Sequence, residues 1–272
     1  MKISTATSVL ANYLLKDAVN EVVRLGFDGV DIWCGRPHMY RQDNGAAELA
    51  ALGERLREQG VKAVTAMPAF FRYPFSLSSP VETIRRDSIA YMRECIENAS
   101  SVGADNVLVV PGNAVFGQSP EDARRLFIKS VEGVCKFACD RSIKLGVEIL
   151  YEKLSSYMHT YEQALSLIAE LGSDMVGVVA DTGHIALGGA DIEETVDALG
   201  DKLLEVHIND NDGISQQNAI PGHGTIDFER VSRVLEAANY QGFVTLEIGW
   251  QYSFDPTAAL AESLDNVRRV FG

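Results

Sequence analysis

An α/β fold, a single (β/α)8 (TIM) barrel of parallel strands over residues 1–272, is predicted by three observations. Short apolar runs rich in β-branched residues alternate with longer helical patterns from end to end. Eight such runs divide the 272 residues into units of about 34, room for one strand, one helix and two loops. No composition break, Ser/Gly linker or low-complexity segment interrupts the series, so one domain accounts for the whole length. A doubly wound open sheet is the alternative architecture for the same alternation.

The expected strands, in order, are Lys2 to Ala6, Gly29 to Trp33, Val61 to Met67, Asn106 to Val110, Lys144 to Glu148, Val176 to Asp181, Leu203 to Ile208 and Phe243 to Glu247. Runs such as Asn106-Val107-Leu108-Val109-Val110 are continuously apolar. That pattern fits strands covered by helices on one face and by barrel side chains on the other, and so a parallel sheet. Helix starts fall between them. Ser79-Pro80-Val81-Glu82 sets a capping hydroxyl before a first-turn proline and an acid, and Ser119-Pro120 and Asp255-Pro256 repeat the device. Phe127, Val131, Val134, Cys135 and Ala138 then lie on one helical face.

With 24 basic and 38 acidic side chains, the formal charge of −14 leaves no bulk attraction for nucleic acid or an anionic membrane surface. Hydrophobic residues at 46% and charged ones at 23% exclude a disordered or fibrous chain and supply a large core. No apolar run approaches the roughly 18 residues of a membrane helix, and hydroxyls interrupt the first residues, so a cytoplasmic protein is expected. Cys34, Cys95, Cys135 and Cys139 lack CxxC spacing and read as reduced, structural thiols.

In a parallel barrel, chemistry collects where the strand C-termini open into loops. The last four strands all end in candidate ligands: Glu148, Asp181, His207 and Glu247, spaced by 33, 26 and 40 residues. Neighbouring strands lie about 4.8 Å apart, so inward side chains at similar height converge. Three crowded carboxylates repel one another unless a cation sits among them. One divalent metal ion is the economical explanation. An oxygen-rich set with one imidazole suits Mn²⁺, Mg²⁺ or Co²⁺ better than a closed structural zinc and leaves positions open for substrate oxygens; Mn²⁺ is the expected ion, with Zn²⁺ also a candidate.

These residues and their surroundings resemble the xylose isomerase-like superfamily of sugar isomerases and epimerases. The resemblance rests on residues 26–33 (GFDGVDIW), Val147-Glu148, Asp181-Thr182-Gly183-His184, residues 207–213 (HINDNDG), Pro221-Gly222-His223-Gly224 and Leu246-Glu247. Residues 33–38 (WCGRPH) look like those of ketose 3-epimerases such as fructoselysine 3-epimerase. The resemblance implies that Glu148, Asp181, His207 and Glu247 ligate the metal and that Glu148 and Glu247 also transfer protons. It further implies that His184 bonds a substrate oxygen, and that the protein is a homo-oligomer, a dimer or tetramer. Two departures stand out. Several ketose epimerases have a Glu where this chain has Leu154, with Glu152 nearby as a substrate-binding candidate. Residues 209–218 also lack the Arg that some of them use for substrate.

The constellation suits enolisation. A metal on the carbonyl and the adjacent hydroxyl would stabilise the charge as it forms, so one of Glu148 and Glu247 can take the proton from the substrate carbon, leaving a cis-enediolate, and the other can deliver a proton to the opposite face. Inversion of a carbon beside a ketone follows. The same site using one face is an aldose–ketose isomerase, and expulsion of a neighbouring hydroxyl makes it a sugar or inosose dehydratase. An abasic-site endonuclease of this barrel type needs further ligands, and the third and fourth strand ends, Met67-Pro68 and Val110-Pro111, supply none. A non-catalytic sugar sensor has no use for three crowded carboxylates. The resemblance implies a small-molecule sugar as the partner.

Arg36 and His38 follow the second strand and are further substrate-binding candidates. Trp33, Phe70, Phe71 and Trp250 are placed to wall off water or receive a sugar face, with packing as the alternative role. Gly222-His223-Gly224 is a tight turn or a close backbone approach, and His159 is expected to be solvated.

Overall fold

All eight strands form in the computed structural model, which describes residues 1–70 and 74–272. They are β1 (Lys2–Ala6), β2 (Gly29–Trp33), β3 (Lys62–Met67), β4 (Asn106–Val109), β5 (Lys144–Ile149), β6 (Val176–Asp181), β7 (Leu203–Ile208) and β8 (Phe243–Leu246). Each pairs in parallel with its neighbour in chain order, and β8 pairs with β1, so the sheet closes into a TIM barrel. Closure removes both sheet edges and puts all eight strand C-termini around one mouth.

The helices around the barrel are α1 (Leu15–Leu25), α2 (Ala46–Glu58), α3 (Glu82–Val102), α4 (Pro120–Cys139), α5 (Tyr161–Leu171), α6 (Thr182–Gly188), α7 (Ile192–Leu199), α8 (Phe228–Ala237) and α9 (Pro256–Phe271). At α4 the expected start is realised: Ser119 caps, its hydroxyl accepting the Asp122 amide at 3.1 Å, and Pro120 opens the helix. The apolar face of α4, Phe127, Val131, Val134, Cys135 and Ala138, is buried in the layer between helices and sheet.

Two local expectations need correction. Glu82 is the first residue of α3, and the Ser79 hydroxyl accepts the Val81 amide at 3.2 Å inside the preceding turn instead of capping the helix. The sixth unit carries two helices, α6 and α7, because Asp181 caps a seven-residue helix directly off the end of β6. The cysteines are free, with Cys34, Cys95 and Cys135 buried. Polar side chains enter the barrel itself: Ser4, Asp31, Thr65, Glu205 and Thr245 are all buried.

Candidate metal centre

The four expected strand-end residues converge: ligand atoms of Glu148, Asp181, His207 and Glu247 all lie within 4.8 Å of one another. Their heights match because register pairs Asp181 with His207 on adjacent strands, and the Glu247 amide bonds to the Ile208 carbonyl at 3.1 Å as β8 ends. His207 is fully buried, with Glu247 Oε2 at 3.1 Å and Glu148 Oε1 at 3.5 Å from its Nδ1. Burial opposes a charge on this imidazole, but hydrogen bonding to Glu148 and Glu247 and their charges prevail and raise its pKa well above the ordinary value. Burial pushes the Glu148 carboxyl up, and the charge of Glu247 adds to the effect while His207 counters it.

Asp181 is held from two sides, by the turn that follows β6 and by the loop after β7. Its Oδ1 accepts the His184 amide at 2.8 Å, and its Oδ2 accepts Asn209 Nδ2 at 2.6 Å. Gly183 permits this approach, since a Cβ there would lie 2.1 Å from Asn209 Oδ1. In the first turn of α6, His184 is buried and stacks on Tyr151 with ring centroids 5.6 Å apart, and its Nδ1 has no partner. Among the described residues no lysine or arginine pairs with Glu148, Asp181 or Glu247, and the imidazole they surround is the nearest positive group. Three carboxylates and one imidazole without a fixed counter-cation fit a divalent ion.

Beneath this rim lies a second polar layer that the sequence reading missed. Glu205 Oε2 accepts the Thr65 hydroxyl at 2.6 Å, Glu205 Oε1 accepts that of Thr245, and Asp31 Oδ1 accepts that of Ser4 at 2.8 Å. Burial, followed by the neighbouring charge of Glu205, pushes the Asp31 carboxyl well above the usual carboxylate range. Asp31, Glu205 and His207 also offer atoms within 4.8 Å of one another. Three of the four carboxylate oxygens accept hydroxyl protons, so this layer is a hydrogen-bonded floor beneath the rim. One signal was available: Glu205 and His207 are two residues apart on β7 and therefore face the same side of the sheet.

Residues 19–270 match the family model described as the xylose isomerase-like TIM barrel. The chain belongs to that family. A fructoselysine 3-epimerase of Shigella flexneri is 24% identical over 256 residues, covering 94% of this chain and 93% of its own. A crystal structure of D-psicose 3-epimerase in the presence of D-fructose shares the fold with a TM-score of 0.82 at 18% identity, covering 100% of both chains. The IOLI protein, solved with a bound zinc atom, shares it with a TM-score of 0.81 at 21% identity, again over 100% of both chains.

Elsewhere on this xylose isomerase-like barrel, the weaker expectations fare unevenly. His38 is buried, with Nδ1 on Thr7 Oγ1 at 3.1 Å and Nε2 within 3.2 Å of the Leu10 and Tyr13 carbonyls, so both nitrogens serve the protein and neither is left for substrate. Arg36 is exposed, and its Nε and Nη2 donate to Asp43 at 2.5 and 2.9 Å. Glu152 is exposed and makes no hydrogen bond among the described residues, while the neighbouring Leu154 is buried. Trp33 and Trp250 meet edge to face at 5.3 Å. Phe70 packs into the core against Phe75 and Tyr91, and Phe71 lies outside the described residues. His159 is half-buried, its Nδ1 3.0 Å from the Ser155 carbonyl, and not simply solvated.

The Gly222-His223-Gly224 turn closes on a residue the sequence reading passed over. Asp210 is fully buried, and its carboxylate accepts the amides of Gly222 at 2.9 Å, Gly224 at 2.8 Å, Ile226 at 3.2 Å and Asn211 at 2.9 Å. A Cβ on Gly224 would stand 2.3 Å from Asp210 Oδ1, so this glycine serves an internal anion. A cavity of about 310 Å³ lies beside His184, between the loops after β5 and β6. A larger hollow of about 610 Å³ lies at the ends of β3 and β4, lined in part by Phe70, Val110, Pro111 and Phe116, and none of the four clustered residues borders it. The cluster's chemistry locates the site more securely than the size of that hollow.

Proposed function

We propose that this chain is a divalent-metal-dependent sugar epimerase that inverts the carbon beside the ketone of a ketose or ketose derivative. The observation that carries the reading is the approach of Glu148 and Glu247, from β5 and from the end of β8, to the same nitrogen of His207, Nδ1, with Asp181 in reach. Glu148, Asp181, His207 and Glu247 would hold the ion, Mn²⁺ being the first choice from the ligand chemistry. Bound there, it supplies Lewis-acid stabilisation for negative charge developing on substrate oxygen.

The protein's own residues do the proton work. Glu148, its carboxyl raised by burial, is suited to carry a proton nearer neutral pH than an exposed glutamate does. Glu247, with 23% of its side chain exposed, is the complementary carboxylate at the open side. One removes the proton from the substrate carbon and the other returns a proton to the opposite face, and the roles exchange in the reverse reaction. The unpartnered Nδ1 of His184 supports a hydrogen bond to a substrate hydroxyl.

The test is NMR of ketoses, ketose phosphates and fructosamine-type amines in deuterated buffer with Mn²⁺. Glu247→Gln is expected to slow solvent deuterium uptake at the substrate carbon by about 10²-fold or more. Uptake at the wild-type rate overturns the two-carboxylate mechanism. The unequal exposure of the two glutamates, 6% against 23%, favours aldose–ketose isomerisation by one carboxylate as the second reading. The stereochemistry of the product in the same spectra separates the two.

A further inference from the structure

We infer that Asp31 is a positioning residue for His207: its Oδ2 takes the Nε2 proton of the imidazole from below and holds the ring with Nδ1 turned to the rim. The inference rests on the rim being a metal site. A neutral imidazole carries one proton, and a nitrogen that ligates an ion must offer its lone pair. Nδ1 is the nitrogen facing Glu247 at 3.1 Å and Glu148 at 3.5 Å, so the proton belongs on Nε2. That nitrogen is fully buried, and a buried N–H without an acceptor is costly.

The candidates to accept it are few. Each oxygen of Glu205 already accepts a hydroxyl, from Thr65 and Thr245, and Asp31 Oδ1 accepts that of Ser4. Asp31 Oδ2 remains, itself fully buried and without a hydrogen-bond partner. It stands 3.8 Å from His207 Nε2. The gap is too short to admit a bridging water and exceeds a good hydrogen bond by roughly 1 Å, a distance that small side-chain rotations close. The two orphaned atoms facing one another under the cluster are thus explained together, with Oδ2 accepting whether the carboxyl is ionised or carries its proton on the other oxygen. The Ser4 hydroxyl keeps the carboxyl of Asp31 aimed at the ring.

Zn²⁺ alone, being diamagnetic, is the probe. In wild type loaded with Zn²⁺, long-range ¹H–¹⁵N spectra are expected to show His207 with Nδ1 on the ion and a slowly exchanging, downfield proton on Nε2. Asp31→Ala is expected to lose that protected proton and to bind Zn²⁺ about 10–100-fold more weakly by calorimetry. Asp31→Asn, which keeps an oxygen of the same reach, recovers part of the loss. The wild-type spectrum needs no variant, so misfolding of Asp31→Ala does not blunt the test. A His207 proton on Nδ1 in the loaded wild type, or an unchanged affinity in a folded Asp31→Ala protein, overturns the positioning role and leaves the metal site standing. Wild type that shows no Zn²⁺-dependent change at His207 overturns the metal site and the positioning role together.

Discussion

The rim and the floor of the barrel are built from the same side-chain chemistry and reach opposite conditions. On the floor, Asp31 and Glu205 are buried as deeply as any residue, yet hydroxyls from β1, β3 and β8 satisfy three of their four oxygens. At the rim, Glu148 and Glu247 have one imidazole between them and no hydroxyl or guanidinium to settle them among the described residues. Crowded acids therefore do not by themselves identify a reactive site. The unsatisfied carboxylates of Glu148 and Glu247 separate the layers that share His207.

The sharpest way to break this comparison is to neutralise one carboxylate in each layer. Glu148→Gln is expected to lower turnover by about 10²–10⁴-fold in the deuterium assay. The same change should make the metal-free protein more stable at neutral pH. The pKa of Glu148 is raised by the fold, so its favourable contribution is present at acid pH and is lost as pH climbs through the folded value. Urea unfolding of the metal-free proteins at pH 5 and pH 8 measures whether the variant removes that pH dependence. Glu205→Ala, by contrast, strands the hydroxyls of Thr65 and Thr245 and should cost about 2 kcal/mol in the same unfolding assay. An unchanged urea midpoint would erase the distinction between the layers.

A smaller effect sharpens the role of the shared imidazole. The raised pKa of His207 means that it holds a proton which an incoming ion must displace. Apparent metal affinity should thus rise about tenfold per pH unit below that pKa, with release of one proton, as calorimetry in buffers of different ionisation enthalpy would record. The smallest expected change calibrates the rest. Ser119→Ala, at the α4 cap and remote from both layers, should cost about 1 kcal/mol of stability and leave metal binding alone.

The barrel was legible because its signal is local and repeated: eight apolar runs at unit spacing leave little architectural choice. The rim was legible because chain order places consecutive strand ends side by side, so Glu148, Asp181, His207 and Glu247 become neighbours once the barrel closes. The floor was not, because its partners meet only across the barrel. Thr65 and Glu205 bond although 140 residues separate them, and no period in the sequence links them. The internal bonding of the His38 ring was hidden for a related reason. Its position after β2 was read correctly, but the Leu10 and Tyr13 carbonyls that claim its ring belong to a different loop. At α3 the motif itself misled, since a Ser-Pro pair closes a turn as readily as it opens a helix.

Asp210 has a consequence for how such a barrel diversifies. Because a carboxylate from within the chain gathers the amides of Asn211, Gly222, Gly224 and Ile226, the excursion after β7 is braced at its base whether or not anything is bound. The exposed tip around Ile214 and Ser215 hangs from that brace and contributes nothing to it. Changes of sequence and length at that tip should leave the brace, and His207 just upstream, in place.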